Sequence, residues 1–239
     1  MGSGHRILSF ALLLVSISTA VSDPAAKKVN LSLYYESLCP YSARFIVNQL
    51  DKIFSNGLIS IVDLQLFPYG NAKVLSDGEI ICQHGSYECL LNTVEACAID
   101  AWPAVTEHFK FINCVEEMVV DGTYPQWKTC FDRFDDLDSQ FVLNCTAGAH
   151  GKQLEYEYGA QTDALVPPHQ YVPWVLVNGL PLYDDYYKFE IQVCKAYQGE
   201  PPKVCQEYQL PVQSSSLIKE IKNSQVSYKD QILIRELSE

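Results

Sequence analysis

The chain has 239 residues, with 17 Lys and Arg against 29 Asp and Glu and a formal net charge of −12 at pH 7. Its 48% hydrophobic residues are typical of a globular protein rather than a disordered polymer. An acidic surface repels phosphate, which argues against nucleic acid binding and against docking on anionic lipid. Nine cysteines are many for a reducing compartment, and the odd number leaves at least one without a partner in the chain.

The N-terminus predicts a secretory signal peptide over residues 1–22. Arg6 precedes a short apolar stretch from Ile7 to Ile17, and small residues lead to a cleavage site after Ser22. The alternative, a transmembrane anchor, is weaker because the stretch is shorter than the ~20 residues that span a bilayer. We therefore expect no membrane insertion of the mature chain.

Two N-glycosylation sequons follow the signal peptide, at Asn30 and Asn144. Together with the signal peptide and the many cysteines, they predict passage through the secretory pathway. The expected location is a lysosome-like or vacuole-like compartment, or the outside of the cell.

The first half of the expected domain predicts a strand–helix–strand unit. Residues 29–35 and 62–66 alternate apolar and polar side chains, and residues 40–54 carry apolar side chains at helical spacing. Proline is favoured at the first position of a helix, so Pro40 puts Cys39 at or beside the N-cap. The simplest arrangement is a parallel strand pair with a crossover helix.

The rest of the chain predicts a helical insertion followed by a hairpin and a further helix. The segment from about 80 to 151 carries six cysteines and few strand signals, and residues 174–183 contain Asn-Gly between apolar runs, with Pro181 confined to an edge strand. This order predicts an α/β, thioredoxin-like fold over residues 23–205, with a disulfide-rich, mostly helical insertion. We expect residues 206–239 to be a polar C-terminal tail.

Cys39 is the candidate reactive thiol. Thiol–disulfide exchange needs a thiolate, and the partial positive charge of a helix N-terminus lowers a thiol pKa. Dithiol enzymes place a second cysteine three residues later to resolve the mixed disulfide, where this chain has Ser42. Serine can donate a hydrogen bond to the thiolate but cannot resolve a mixed disulfide. From the spacing alone two alternatives stay open, in which Cys39 is a small buried hydrophobe or is paired with another cysteine.

Val172-Pro173 is the second candidate element. In this topology a cis proline would face the thiol and offer a backbone edge to an incoming polypeptide. The alternative is an ordinary trans proline at a strand entry, since most X–Pro bonds are trans.

The region from Cys82 to Cys97 holds three cysteines and His84 within sixteen residues. We expect disulfides rather than a metal site, because a zinc site usually shows close cysteine pairs and an oxidising lumen favours bridges. Setting Cys39 aside leaves eight disulfide candidates, namely Cys82, Cys89, Cys97, Cys114, Cys130, Cys145, Cys194 and Cys205. Only Cys194–Cys205 is an evident local pair, and the other pairings stay open.

One run of residues resembles the signature of the gamma-interferon-inducible lysosomal thiol reductase family. It is Cys82-Gln83-His84-Gly85-x-x-Glu88-Cys89-x-x-Asn92, followed by Cys97. Residues 35–39 and 171–179 also resemble that family. The resemblance implies a thioredoxin-like fold and reduction of protein disulfides, often in acidic endosomes and lysosomes, with Cys39 as the first active-site cysteine and Pro173 in the proline loop. Members usually carry Cys-x-x-Cys, and Ser42 departs from that pattern.

Two functions from different classes follow. In the first, a thiol–disulfide oxidoreductase acts through Cys39 alone, and a small thiol or a client thiol resolves the mixed disulfide without any cofactor. In the second, a redox-inert protein keeps the client groove and binds or regulates without turnover. The expected partners are disulfide-containing or unfolded polypeptides, and Cys39 could also link two chains. Motifs of serine hydrolases, P-loop enzymes and zinc proteases are absent.

Overall fold

The computed structural model describes residues 26–134 and 138–209. The expected signal peptide, and all but the first few residues of the expected C-terminal tail, lie outside these ranges. The strands are β1 (Val29–Tyr35), β2 (Val62–Pro68), β3 (Lys73–Val74), β4 (Ile80–Ile81), β5 (Trp174–Val177) and β6 (Leu180–Pro181). The helices are α1 (Pro40–Phe45), α2 (Lys52–Ser55), α3 (Ser86–Ala101), α4 (Val105–Val120), α5 (Ser139–Ala147), α6 (Ala149–Asp163), α7 (Phe189–Ala196) and α8 (Lys203–Gln209).

Four strands form a mixed sheet in the order β2-β1-β5-β6. β1 runs parallel to β2, with Leu33 opposite Leu66, while β5 runs antiparallel to β1 with Val175 opposite Leu33. The expected parallel pair and its helical crossover are confirmed. Asn178-Gly179 turns β5 into β6, and Pro181 lies on the edge strand, where a missing backbone N–H breaks no ladder.

The sheet is buried on both faces: in β1 even the polar Ser32 is buried, and only Asn30 is half-buried. One face packs against α1, α2 and α7, with Leu33, Ile46 and Phe189 in its core. The other face carries Tyr34, whose ring stacks on Phe67 at 4.2 Å between centroids. This double cover fixes the carboxyl end of β1, from which the chain enters α1.

Helices α3 to α6 lie between the two halves of the sheet in sequence and have their own core, which includes Leu91 and Phe111. Here the last helix ends at Asp163, beyond the boundary near residue 151 expected from the sequence, because α6 begins at Ala149 and continues to cover the sheet. Two buried disulfides, Cys97–Cys145 and Cys114–Cys130, tie these helices together.

The other two disulfides are Cys82–Cys89, just before and within α3, and Cys194–Cys205, between α7 and α8. The latter is the local pair expected from the sequence. All eight candidate cysteines are therefore bridged, and Cys39 is left as the free thiol among the nine. Within the described ranges, no helix combines the length and apolar character needed to cross a bilayer.

Candidate functional site

Cys39 is the N-cap residue of α1. β1 delivers the turn from Glu36 to Cys39, closed by a hydrogen bond from the Cys39 N–H to the Glu36 carbonyl at 3.2 Å. Pro40 then starts the helix, where its missing N–H costs nothing. The thiol is placed at the helix start as expected, but the residue is only 5% exposed.

Burial raises the pKa of the Cys39 thiol above its ordinary value, because a thiolate loses hydration. The N–H and hydroxyl of Ser42 and the N–H of Tyr41 act in the opposite direction, since they can donate to the thiolate. Desolvation is the larger effect. The groups at the helix start lower the pKa of Cys39 as the sequence led us to expect, but burial, which the sequence did not reveal, outweighs them.

Ser42 lies in the first turn of α1 and is fully buried. Its hydroxyl has no hydrogen-bond partner of good geometry, although it is near enough to Cys39 to favour the thiolate. The position of the missing second cysteine therefore holds a side chain that faces the thiol and has no other partner within the described chain.

The proline loop lies against the thiol. Cys39 Sγ is 4.0 Å from the carbonyl oxygen of Val172, and the Val172–Pro173 peptide bond is cis. Pro173 immediately precedes β5, whose Trp174 is fully buried and contacts the rings of Tyr171 and Tyr183. The structure thus brings together the two elements that the sequence singled out separately.

The family-signature run supports the turn that leads to Cys39. The Ser37 N–H donates to Asn92 Oδ1 at 3.0 Å, and the Ser37 hydroxyl donates to the Glu88 carbonyl at 3.2 Å. Both acceptors are on α3, which begins after Gly85, a residue with a φ of 90° that favours glycine. These two hydrogen bonds hold the turn that leads to Cys39 against α3, and we refer to them together as the clamp.

The remaining polar residues of the signature surround Glu36. Gln83 Oε1 accepts from the Asn71 amide at 2.8 Å, and the Asn71 N–H donates to Glu36 Oε1 at 2.7 Å. His84 Nδ1 is 2.5 Å from Glu88 Oε2 and 3.4 Å from Glu36 Oε2. Burial and the neighbouring Glu88 carboxylate raise the pKa of Glu36.

Three further buried carboxyl groups were missed by the sequence analysis. Glu95 accepts a hydrogen bond from the Tyr35 hydroxyl at 2.6 Å, and burial raises the pKa values of Glu95 and Glu116. Burial also raises the pKa of Glu155 to about 9. Glu95 and Glu116 fall at helical spacing among apolar neighbours, which is the signal that could have found them.

The two sequons differ in accessibility. Asn144 is exposed on α5, where Oδ1 accepts from the Gln140 amide. Asn30 lies within β1, half-buried, and its side chain accepts from Ser32 Oγ at 2.8 Å. His169 Nε2 lies 3.1 Å from Asn71 Oδ1.

Comparison with other proteins finds a family and a fold. A sequence model of gamma interferon inducible lysosomal thiol reductase (GILT) matches residues 30–134. The gamma-interferon-responsive lysosomal thiol protein of Arabidopsis thaliana is 40% identical over 199 residues, covering 81% of this chain and 82% of that protein. The gamma-interferon-inducible lysosomal thiol reductase of Mus musculus is 41% identical over 187 residues, covering 76% and 73%.

Two solved structures share the fold at low sequence identity. DsbA from Mycobacterium tuberculosis, in its reduced form, has a TM-score of 0.51 at 16% identity, covering 82% of this chain and 98% of that one. Chlamydia trachomatis DsbA has a TM-score of 0.50 at 10% identity, with coverage of 77% and 94%. These likenesses confirm the thioredoxin-like fold with its helical insertion.

Proposed function

The chain belongs to the gamma-interferon-inducible lysosomal thiol reductase family, and we propose that it exchanges thiols with the disulfides of polypeptide clients through Cys39 alone. The observation that carries the proposal is the placement of the single free thiol at the start of α1, 4.0 Å from the Val172 carbonyl. Ser42 occupies the position from which a second thiol would act.

The proposed cycle uses one protein thiol. The Cys39 thiolate attacks a client disulfide, the client S–S bond breaks, and the departing client sulfur takes up a proton. A small thiol then attacks the Cys39 sulfur and releases the reduced client. A second small thiol attacks the resulting mixed disulfide, which regenerates Cys39 and forms a small-molecule disulfide. If another thiol of the client instead attacks the client sulfur of the mixed disulfide, Cys39 leaves and the client is isomerised.

The surface around the thiol supports a polypeptide client. Tyr41, two residues after Cys39, is 37% exposed, and Tyr183, whose ring contacts that of Trp174, is 46% exposed. Aromatic side chains that are part-exposed offer contact area for unfolded chain segments at little entropic cost. Client disulfides carried on extended, apolar segments are therefore the proposed substrates.

An acidic compartment of the secretory pathway is the proposed location. Four disulfides are typical of an oxidising lumen, and the mouse and Arabidopsis relatives are both named as lysosomal. Asn144, exposed on α5, is the proposed glycan acceptor in preference to the half-buried Asn30. Since Cys39 is buried, a disulfide between two folded copies would need local opening at this residue.

A second candidate function is client binding without turnover. It is favoured by the low exposure and raised pKa of the Cys39 thiol, both of which reduce the fraction of attacking thiolate at acidic pH. This alternative retains the proline loop and the aromatic surface, and needs no chemistry at Cys39.

Trapping of mixed disulfides separates the two functions. The non-reduced chain is mixed with a denatured, disulfide-containing client, quenched with acid and mapped by mass spectrometry. Exchange through Cys39 should give a client adduct on this cysteine, and Cys39→Ser should give none. Client binding by Cys39→Ser at wild-type affinity, with no adduct on the wild type, would instead support the binding function.

A further inference from the structure

Three side chains from two separate segments converge beside the approach to Cys39. Glu36 comes from the end of β1, His84 from the turn before α3, and Glu88 from the first turn of α3. One ligand atom from each of Glu36, His84 and Glu88 lies within 4.8 Å of the other two, and His84 Nδ1 faces Oε2 of both carboxylates. The proposed exchange reaction uses none of these three groups.

Each carboxylate is held by the oxygen that does not face the imidazole. Glu36 Oε1 accepts from the Asn71 N–H at 2.7 Å, and Glu88 Oε1 accepts from the His84 N–H at 3.0 Å. The backbone of Gly70 also closes on Glu36, since a Cβ built at Gly70 would lie 2.2 Å from Glu36 Cγ. The two inward oxygens are therefore positioned before any ligand arrives, as the outer contacts of metal ligands usually ensure.

One of those oxygens has no hydrogen-bond partner. Glu36 is fully buried, and its Oε2 atom makes no hydrogen bond although it faces His84 Nδ1 at 3.4 Å. A buried carboxylate oxygen without a hydrogen-bond partner is costly, and a bound ion is one way to satisfy it. The His84 side chain, 35% exposed, is the route by which a small ion could enter.

We propose that Glu36, His84 and Glu88 bind one divalent transition-metal ion, with Zn²⁺ the best match. Two carboxylates and a neutral imidazole balance a charge of +2, whereas an imidazolium neutralises only one of the carboxylates. Imidazole nitrogen with carboxylate oxygen suits Zn²⁺, while Ca²⁺ and Mg²⁺ favour sites built from oxygen ligands. Cys82 and Cys89 form a disulfide and offer no thiolate, so this site is not the cysteine-based metal site weighed in the sequence analysis.

Binding of the ion replaces the direct contact between His84 and Glu88. His84 Nδ1 and Glu88 Oε2, 2.5 Å apart, exchange their contact with each other for bonds to the metal. Cys39, which lies on the side of the turn facing Val172, is not a ligand in this proposal.

The test is calorimetric titration of Zn²⁺ into the chelator-treated full chain with its disulfides intact, at pH 7. We expect one equivalent to bind in the micromolar range, and His84→Ala to weaken the affinity by at least about tenfold. His150→Ala is the matched control, because His150 forms a surface pair with Asp100 at 2.8 Å and should bind like the wild type. Cys39→Ser should also bind normally, so the result is independent of exchange activity.

Co²⁺ provides a second measurement that does not depend on heat. A visible absorption band without a thiolate charge-transfer band should appear in the wild type and in Cys39→Ser, and should be lost in His84→Ala. The proposal is overturned by the absence of Zn²⁺ binding at ~100 μM at pH 7 in the folded wild type. Equal binding by His84→Ala, or loss of binding in Cys39→Ser, would overturn it as well.

Discussion

Replacing Glu155 with glutamine should flatten the dependence of folding stability on pH. Glu155 lies on α6 and is 2% exposed, and neither of its carboxyl oxygens has a hydrogen-bond partner within the described chain. Burial, with a smaller contribution from Glu95, raises its pKa from 4.5 to about 9. The native state therefore binds more protons than the unfolded state, so the stabilisation is complete below pH 4.5 and is lost as the pH rises towards 9.

The expected magnitude follows from this difference in protonation. Between pH 5 and pH 7 the unfolded carboxyl group, with its pKa of 4.5, ionises while the folded group stays protonated. The free energy of unfolding then falls by about 2.5 kcal/mol for this one group. Any folded pKa well above 7 gives nearly the same loss over this range, so the value does not depend on where the native group titrates.

Urea unfolding monitored by tryptophan fluorescence at pH 5, 6 and 7 measures the effect. Glu155→Gln should be within about 1 kcal/mol of the wild type at pH 5 and should gain relative stability at each step towards pH 7. Glu157→Gln, an exposed change on the same helix, should leave the pH dependence as it is. Parallel stability curves for the wild type and Glu155→Gln would show that the buried carboxyl is ionised in the native state and would refute the reasoning.

Three further changes test the site. Ser42→Cys should raise multiple-turnover reduction of a disulfide client several-fold, because it places a resolving thiol beside Cys39. The position is buried and its hydroxyl has no hydrogen-bond partner, so the change breaks no existing bond. Unchanged turnover would mean that resolution is not the slow step. Mild reduction followed by alkylation and mass mapping should open Cys82–Cys89 before the other bridges, since its two cysteines are half-buried and the other six are buried. Asn92→Ala should lower the free energy of unfolding by about 1–3 kcal/mol, because it leaves the buried Ser37 N–H without its acceptor, and a loss near zero in urea unfolding would contradict the clamp.

Local signals were sufficient to predict the strands, the helix start and the hairpin. Alternation gave β1 and β2, Pro40 marked the residue before it as the N-cap, and Asn178-Gly179 marked the turn into the edge strand. Each of these features depends on residues that are adjacent in the chain. The odd number of cysteines predicted that at least one is unpaired. The structure, in which the other eight form disulfides, identifies it as Cys39.

The properties of the site were harder to predict because they depend on packing. The pKa of Cys39 is raised by the burial that the fold imposes, and no local pattern carries that information. Glu155 was also hidden, because the face of α6 that contains it carries Gly151 and Gly159 rather than an apolar stripe. Gly159 is required there since a Cβ would lie 2.8 Å from the ring of Tyr69. Likewise, Glu36 and His84 are distant in sequence and come within 3.4 Å of each other only in the folded structure.

The clamp on the Cys39 turn has a consequence for how this chemistry can diverge. Ser37 is held by Glu88 and Asn92, so the position of the thiol is secured by α3 and owes nothing to the side chain at residue 42. A single codon change at that residue can therefore add or remove the second sulfur while the scaffold around the first stays intact. The proposed one-thiol enzyme and a two-thiol enzyme would then differ by one substitution on the same framework rather than by a rebuilt site.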